Sequence, residues 1–190
     1  MRKLQASYKK YEPVRTCFLN SAYVDKVLSE YPGYAKTMIQ CEVNHNEIDI
    51  DTNGVKLDQE SKIDLMVRLR IKVYDPELED YRYHVNLLIF NMVSRTIEHF
   101  EPLELYELGE MISTALETRF GLSMPDFKFK TLDFHPQKEL DQECKDMGLC
   151  VAHVIKFATC HLYCNAQRQK LSEPDDEDIY RFSAAIMDQY

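Results

Sequence analysis

A cysteine at the start of an apolar segment is the residue in this sequence best placed for nucleophilic chemistry. Cys150 follows Gly148 and Leu149 and begins the run 150–165, whose composition is typical of a largely buried helix. The N–H groups at a helix N-terminus carry partial positive charge and stabilise a thiolate, which is the nucleophilic form of cysteine. Because buried cysteines are more often inert core residues than nucleophiles, a catalytic role also requires a base within reach.

Two further residues supply the groups that a thiol nucleophile requires. His84 lies in an apolar segment predicted to be a strand, and Glu101 ends the next predicted strand along the chain. Antiparallel pairing of these strands would return Glu101 to the vicinity of His84. There the carboxylate would fix the tautomer of the imidazole, which would deprotonate Cys150. Taken alone, His84 also fits a structural strand residue and Glu101 a surface acid before Pro102.

Hydrophobic periodicity predicts the elements that must position these groups. Strands are predicted at 63–73, 83–90, 96–101 and 125–134, the first of them half-buried. Helices are predicted at 21–31, 105–120, 149–165 and 174–189, with Gly121 as the stop of the second. A hairpin or a strand followed by a loop is predicted at 38–54, with a turn at 51–54. Three consecutive strands with short links indicate a meander, and the fold class is α+β, with helices packed on a mainly antiparallel sheet.

Composition indicates an ordinary globular protein. The chain has 190 residues, 45% hydrophobic and 29% charged, and it contains six cysteines, which we interpret as thiols of a reducing compartment. No apolar run approaches the roughly 20 residues that cross a membrane, and the N-terminus lacks the apolar core of a signal peptide. A formal net charge of −9 opposes binding to nucleic-acid phosphates. We therefore expect a soluble intracellular protein with neither membrane nor nucleic acid as a partner.

The order of these segments resembles that of a known protease superfamily. Residues 83–90 contain His84, residues 95–102 end in Phe-Glu-Pro, and Gly148-Leu149-Cys150 opens a helix. The arrangement His, acid, Gln, Cys over residues 80 to 165 resembles the SUMO-protease and adenovirus-protease superfamily, closest to the divergent versions of large DNA viruses. The resemblance implies a papain-like protease fold in circularly permuted order. It also implies a protease core with a terminal helix at 81–190, preceded by an extension at 1–80 that could serve substrate recognition.

The same resemblance implies a cysteine endopeptidase that cleaves peptide or isopeptide bonds after small residues. A glutamine before the cysteine would help to form the oxyanion hole. Gln137 is preferred because Pro136-Gln137 resembles the family context, and Gln142 stays an alternative. No metal or organic cofactor is expected. The substrate would be a viral precursor protein or a ubiquitin-like modifier, and the location the host cytoplasm or the virion if the protein is viral.

Departures from the family pattern keep two alternatives open. Val85 and Val151 stand where the family has Trp and Gly, and the chain has no Trp, so a noncatalytic interaction module derived from a protease is one alternative. The second is a zinc-binding module. Its candidate ligands are Cys144, Cys150, His153, Cys160, His161 and Cys164. Helical spacing spreads the ligands at and after position 150 along one stripe, so they cannot all converge on one ion.

Overall fold

The computed structural model describes residues 22–29, 33–44, 47–52, 54–55, 62–77, 79–103, 105–136 and 149–163. These ranges hold three helices: α1 (Ala22–Leu28), α2 (Tyr106–Ser123) and α3 (Cys150–Tyr163). They also hold six strands: β1 (Tyr34–Asn44), β2 (Glu47–Asp51), β3 (Leu65–Asp75), β4 (Asp80–Asn91), β5 (Thr96–Phe100) and β6 (Lys128–Thr131). The predicted terminal helix at 174–189 lies outside the described residues, as do Gln137 and Gln142.

The six strands form one sheet in the order β2-β1-β3-β4-β5-β6. Strand β3 pairs with β4 and β4 with β5 in antiparallel fashion, which confirms the predicted meander. The β1–β2 pair is also antiparallel, whereas β1–β3 and β5–β6 are parallel. The predicted α+β class with a mainly antiparallel sheet is confirmed. Strands from both sides of residue 80 are neighbours in this sheet.

Helices cover both faces of the sheet. Helices α1 and α3 pack on one face, against side chains such as Val85 and Leu87. Helix α2 packs on the other face, against side chains such as Leu88 and Phe90. The predicted half-buried strand, β3, is therefore buried on both faces over much of its first half. Its Arg68 is tolerated there because the guanidinium pairs with Asp25 of α1 at 2.9 Å.

One local prediction is confirmed and one was wrong in position. Strand β2 pairs with β1 in antiparallel fashion, and the Val55 N–H donates to the Thr52 carbonyl at 2.9 Å, which gives a turn within one residue of the predicted one. Gly54 in this turn adopts a positive φ of 66°. Helix α2 continues through Gly121 to Ser123, since a single glycine costs a helix only about 1 kcal/mol and tertiary packing of the helix offsets it.

Aromatic packing anchors α3 to the middle of the sheet. Phe157 of α3 stacks on Phe100 of β5 with ring centroids 4.0 Å apart, and Phe134 lies beyond Phe100 at 6.1 Å. The helix also contacts β4 and α1. This docking places the first residue of α3, Cys150, beside β4. Among the described residues, no helix is long and apolar enough to span a membrane.

Candidate active site

Cys150 is the first residue of α3 and is only 6% exposed. Its sulfur receives backbone hydrogen bonds from Val85 of β4, from Val151 and from its own N–H. The donors on α3 are available because the first bond inside this helix joins the His153 N–H to the Leu149 carbonyl, which leaves the preceding N–H groups unused by the helix. The predicted position of the thiol at a helix N-terminus is thus confirmed.

The contact with Val85 brings Cys150 to the residue that follows His84. Pairing of β4 with β5 ends at Leu87 and Phe100, so β4 runs on toward Val85 and His84 beyond the end of its neighbour. The start of α3 lies against this extension of β4. The Cys150 sulfur therefore lies one residue from His84 along β4, while strand alternation places the side chains of Val85 and His84 on opposite faces of the sheet.

Burial controls the protonation of both groups. It raises the pKa of the Cys150 thiol to about 11, although the three backbone donors act in the opposite direction. It lowers the pKa of His84 to about 4. The Nε2 atom of His84 is buried and makes no hydrogen bond to any residue that the structure describes. The resting pair is consequently a thiol and a neutral imidazole, whereas the helix N-terminus alone suggested a stabilised thiolate.

Glu101 lies one residue beyond β5 and is only 3% exposed, so it is not the surface acid of the alternative interpretation. Continuing the register of β4 and β5 places it opposite Asn86, on the face that also carries His84. Diagonal neighbours on one face have Cα atoms about 7–8 Å apart, which Glu and His side chains can bridge. The predicted acid and the predicted base therefore share one face of the sheet.

A glycine in the first turns of α2 makes room for this carboxylate. A Cβ added at Gly109 would lie 3.0 Å from Oε2 of Glu101. The carboxylate thus approaches the helix backbone closely, near an N-terminus whose partial positive charge favours an anion. A glycine that weakens α2 by its own propensity is explained by this contact.

A buried polar chain behind Glu101 was missed by sequence reasoning. Asn86 Nδ2 lies 2.8 Å from His99 Nε2, and His99 Nδ1 lies 3.4 Å from Ser113 Oγ of α2. Thr131 of β6 donates to Ser113 at 3.1 Å. Burial, and to a lesser extent the neighbouring His84 and a further histidine, lower the pKa of His99 to about 3, so it is neutral. In the sequence, the signal for this buried polar chain was the pair of polar residues at positions 84 and 86, every second position of an otherwise apolar strand.

A third histidine contacts the segment that carries Glu101. Nδ1 of His135 lies 2.9 Å from the Glu101 carbonyl oxygen, and its N–H donates to that oxygen. This bond ties the described end of the segment, at His135 and Pro136, to the backbone of Glu101.

The zinc alternative finds no cluster in the described part of the chain. There, no group of three or more His, Cys, Asp or Glu residues is arranged to hold a metal ion. His153 is buried, which lowers the pKa of its imidazole to about 3, and the Cys150 sulfur is turned toward β4. Cys144 and Cys164 lie outside the described residues. Cys160 and His161 belong to α3, but their side chains are outside the described part of the structure.

Comparison with known proteins identifies a structural neighbour. No protein-family model matches the chain, and no curated protein does. The structure of the Chlamydia trachomatis effector protein ChlaDUB1 superposes with a TM-score of 0.55 at 13% identity, over 98% of this chain and 91% of that one. The SUMO protease Ulp1, with its catalytic cysteine oxidised to a sulfinic acid, matches 64% of this chain and 53% of its own at 12% identity and a TM-score of 0.33.

The chain shares the fold of ChlaDUB1. The α+β architecture predicted from the sequence is confirmed by this likeness as well as by the sheet itself.

Proposed function

We propose that the chain is a cysteine protease that cleaves peptide or isopeptide bonds after small residues, with Cys150 as nucleophile and His84 as base. One observation carries the proposal. The Cys150 sulfur lies at a helix N-terminus and accepts a hydrogen bond from the backbone of Val85, the neighbour of His84. The shared fold with ChlaDUB1 and the order His, acid, Gln, Cys support the same conclusion.

The protonation of the site determines the first step. As the sulfur attacks the carbonyl carbon, neutral His84 takes the thiol proton, because burial disfavours a resting ion pair. Imidazolium then gives this proton to the leaving amine, and an acyl-thioester remains on Cys150. In the second step His84 takes a proton from a water molecule, whose oxygen attacks the acyl carbon. The C–S bond then breaks, the acid is released, and imidazolium returns the proton to the Cys150 thiolate. Glu101 orients His84 and stabilises its cationic form.

Oxyanion stabilisation is assigned to the Cys150 N–H together with Gln137, and Gln142 is the alternative. We expect Gln137→Ala to lower kcat by about 10²–10³-fold, the usual cost of losing one oxyanion donor, with little change in KM. Gln142→Ala, which removes the same amide five positions along, should stay within about twofold of the parent. Steady-state kinetics of both variants on one substrate decides between them, and the reverse ranking would transfer the role to Gln142.

Protein substrates of two kinds fit the proposal, the Gly-Gly tail of a ubiquitin-like modifier and a precursor protein cut at small residues. Both present a small residue to the buried thiol. Residues 81–190 would hold the protease core, and residues 1–80 would serve substrate recognition while sharing one sheet with that core.

A peptidyl-Gly-Gly chloromethyl ketone tests the assignment of the nucleophile. We expect it to alkylate Cys150 stoichiometrically, as mapped by mass spectrometry, because the peptide places its electrophilic carbon where the scissile carbonyl would lie. Cys41 is an internal control, since burial raises the pKa of its thiol to about 12. Alkylation of other thiols with Cys150 left intact would contradict the proposal and favour a noncatalytic interaction module.

A further inference from the structure

A shallow depression continues the face of the sheet that carries α1 and α3, beyond the start of α3. Register places Arg70 opposite Val85 and Lys72 opposite Tyr83 on this face. Strand β1 contributes residues that pair with Arg70 and Lys72. The depression, called here the Arg70 surface, is lined by Gln40, Cys41, Glu42, Arg70, Lys72 and Tyr83.

The two cations of this surface are in different electrostatic states. Lys72 is paired with Glu42 at 3.0 Å, so its charge is already compensated. Arg70 forms no salt bridge within the described residues, and its guanidinium lies over the Tyr83 ring, 4.4 Å from the centroid. Tyr83 is 54% exposed although it is large and aromatic. Among the described residues no carboxylate compensates the positive charge of Arg70, in a chain with a formal net charge of −9.

Stacking on an aromatic ring prepares a guanidinium for anion binding. The ring restricts the side chain while the planar N–H donors at its edge stay available, and their geometry matches the two oxygens of a carboxylate. Less conformational entropy is lost on binding than for a freely rotating arginine. The Arg70 surface thus offers the donors that an anionic group such as a carboxylate requires.

This surface lies next to the proposed nucleophile. Val85, whose N–H binds the Cys150 sulfur, is directly opposite Arg70, and such pairs have Cβ atoms about 4.5–5.5 Å apart. An extended peptide advances about 3.3 Å per residue. A peptide whose carbonyl is at Cys150 would bring a side chain two to four residues away, roughly 7–13 Å, over the Arg70 surface.

We propose that Arg70, stacked on Tyr83, binds an Asp or Glu side chain of the extended substrate two to four residues from the scissile bond. This inference rests on the proposed function and adds a sequence preference to it. The occupant is a segment of the protein substrate, because the uncompensated charge lies beside the thiol that would attack that same segment.

Matched covalent peptides test this preference. Tetrapeptidyl chloromethyl ketones ending in Gly-Gly, with Glu or Gln at the third or fourth position from the warhead, test the side of the substrate that precedes the scissile bond. Bromoacetyl tetrapeptides with Glu or Gln at corresponding positions test the side that follows it. The measured quantity is the ratio of the rate constants for modifying Cys150 with the Glu and the Gln member. We expect a ratio of about two to five for at least one position, in keeping with a solvent-accessible ion pair, and a lower ratio at high salt.

Arg70→Gln should bring this ratio to about one, while Arg119→Gln, a matched loss of an exposed arginine on α2, should leave it unchanged. Equal rates for Glu and Gln at every position would overturn the inference and leave the nucleophile standing. A Glu preference that survives Arg70→Gln would overturn it too.

Failure of the proposed function has a separate signature. If no peptide modifies Cys150, fluorescence anisotropy of labelled, warhead-free Glu and Gln peptides with Cys150→Ala measures the surface alone. A Glu preference lost in Arg70→Gln supports the Arg70 surface, and no preference overturns it. If neutralising the acidic residues at 175–178 raises binding of both peptides equally, the chain's own acidic segment is the occupant and the inference is wrong.

Discussion

Replacing His84 by alanine is expected to lower kcat/KM for a peptidyl-Gly-Gly-aminomethylcoumarin substrate by about 10²–10⁴-fold, the contribution of a positioned general base. Cys150→Ala should reduce hydrolysis to background, since the acyl-thioester cannot form. Fluorescence release measures both effects. Arg119→Gln, which changes an exposed side chain on α2, is the control and should retain activity. Hydrolysis that persists in Cys150→Ala would exclude the proposed mechanism.

The pH profile of the parent protein distinguishes two forms of this mechanism. Because burial lowers the pKa of His84 to about 4, the base becomes competent as the pH rises through that value. With the pKa of Cys150 raised to about 11, kcat/KM should then stay nearly flat from about pH 5 to 9. A resting thiolate–imidazolium pair would behave differently. Iodoacetamide would then alkylate Cys150 rapidly at pH 5, His84→Ala would abolish this reactivity, and the neutral pair would be wrong.

Phe100→Ala is expected to lower the free energy of unfolding by about 3–5 kcal/mol, the usual cost of truncating a buried phenylalanine. Phe100 is 1% exposed and stacks on Phe157, so the substitution leaves a cavity between β5 and α3. Catalysis should fall as well, because α3 carries Cys150 and its docking against the sheet is loosened. Urea denaturation measures the first effect and the coumarin assay the second.

Two surface truncations calibrate the stability measurement. Leu122→Ala and Val93→Ala remove side chains that are 81% and 74% exposed, and each should change the unfolding free energy by less than about 0.5 kcal/mol. A Phe100→Ala variant that loses less than about 1 kcal/mol would mean that the stacked rings do not dock α3.

Local patterns in the sequence were sufficient for most elements near the site. Short apolar segments between 83 and 101 predicted β4 and β5, and helical spacing predicted α2 and α3. The position of Cys150 at the start of a buried helix followed from its place before an apolar run. These features depend on side chains within one or two turns of each other, so periodicity reports them directly.

Tertiary structure decided how these elements meet. The register of β4 and β5 is what turns Glu101 toward the face of His84, and the docking of Phe157 on Phe100 is what brings Cys150 to Val85. Gly109 appears in the sequence only as a weak helix residue, and its contact with Glu101 becomes visible when α2 lies on the sheet.

The sequence by itself determined which residue types are available and which local elements carry them: a cysteine at a helix start, a histidine on a strand and an acid after the next strand. Only the tertiary structure decided their burial, and with it their protonation. A helix N-terminus stabilises a thiolate. At Cys150, however, removal from water raises the pKa, and this effect is larger than the lowering by the three backbone donors. Desolvation depends on everything that surrounds a group, and that surrounding is assembled from distant parts of the chain.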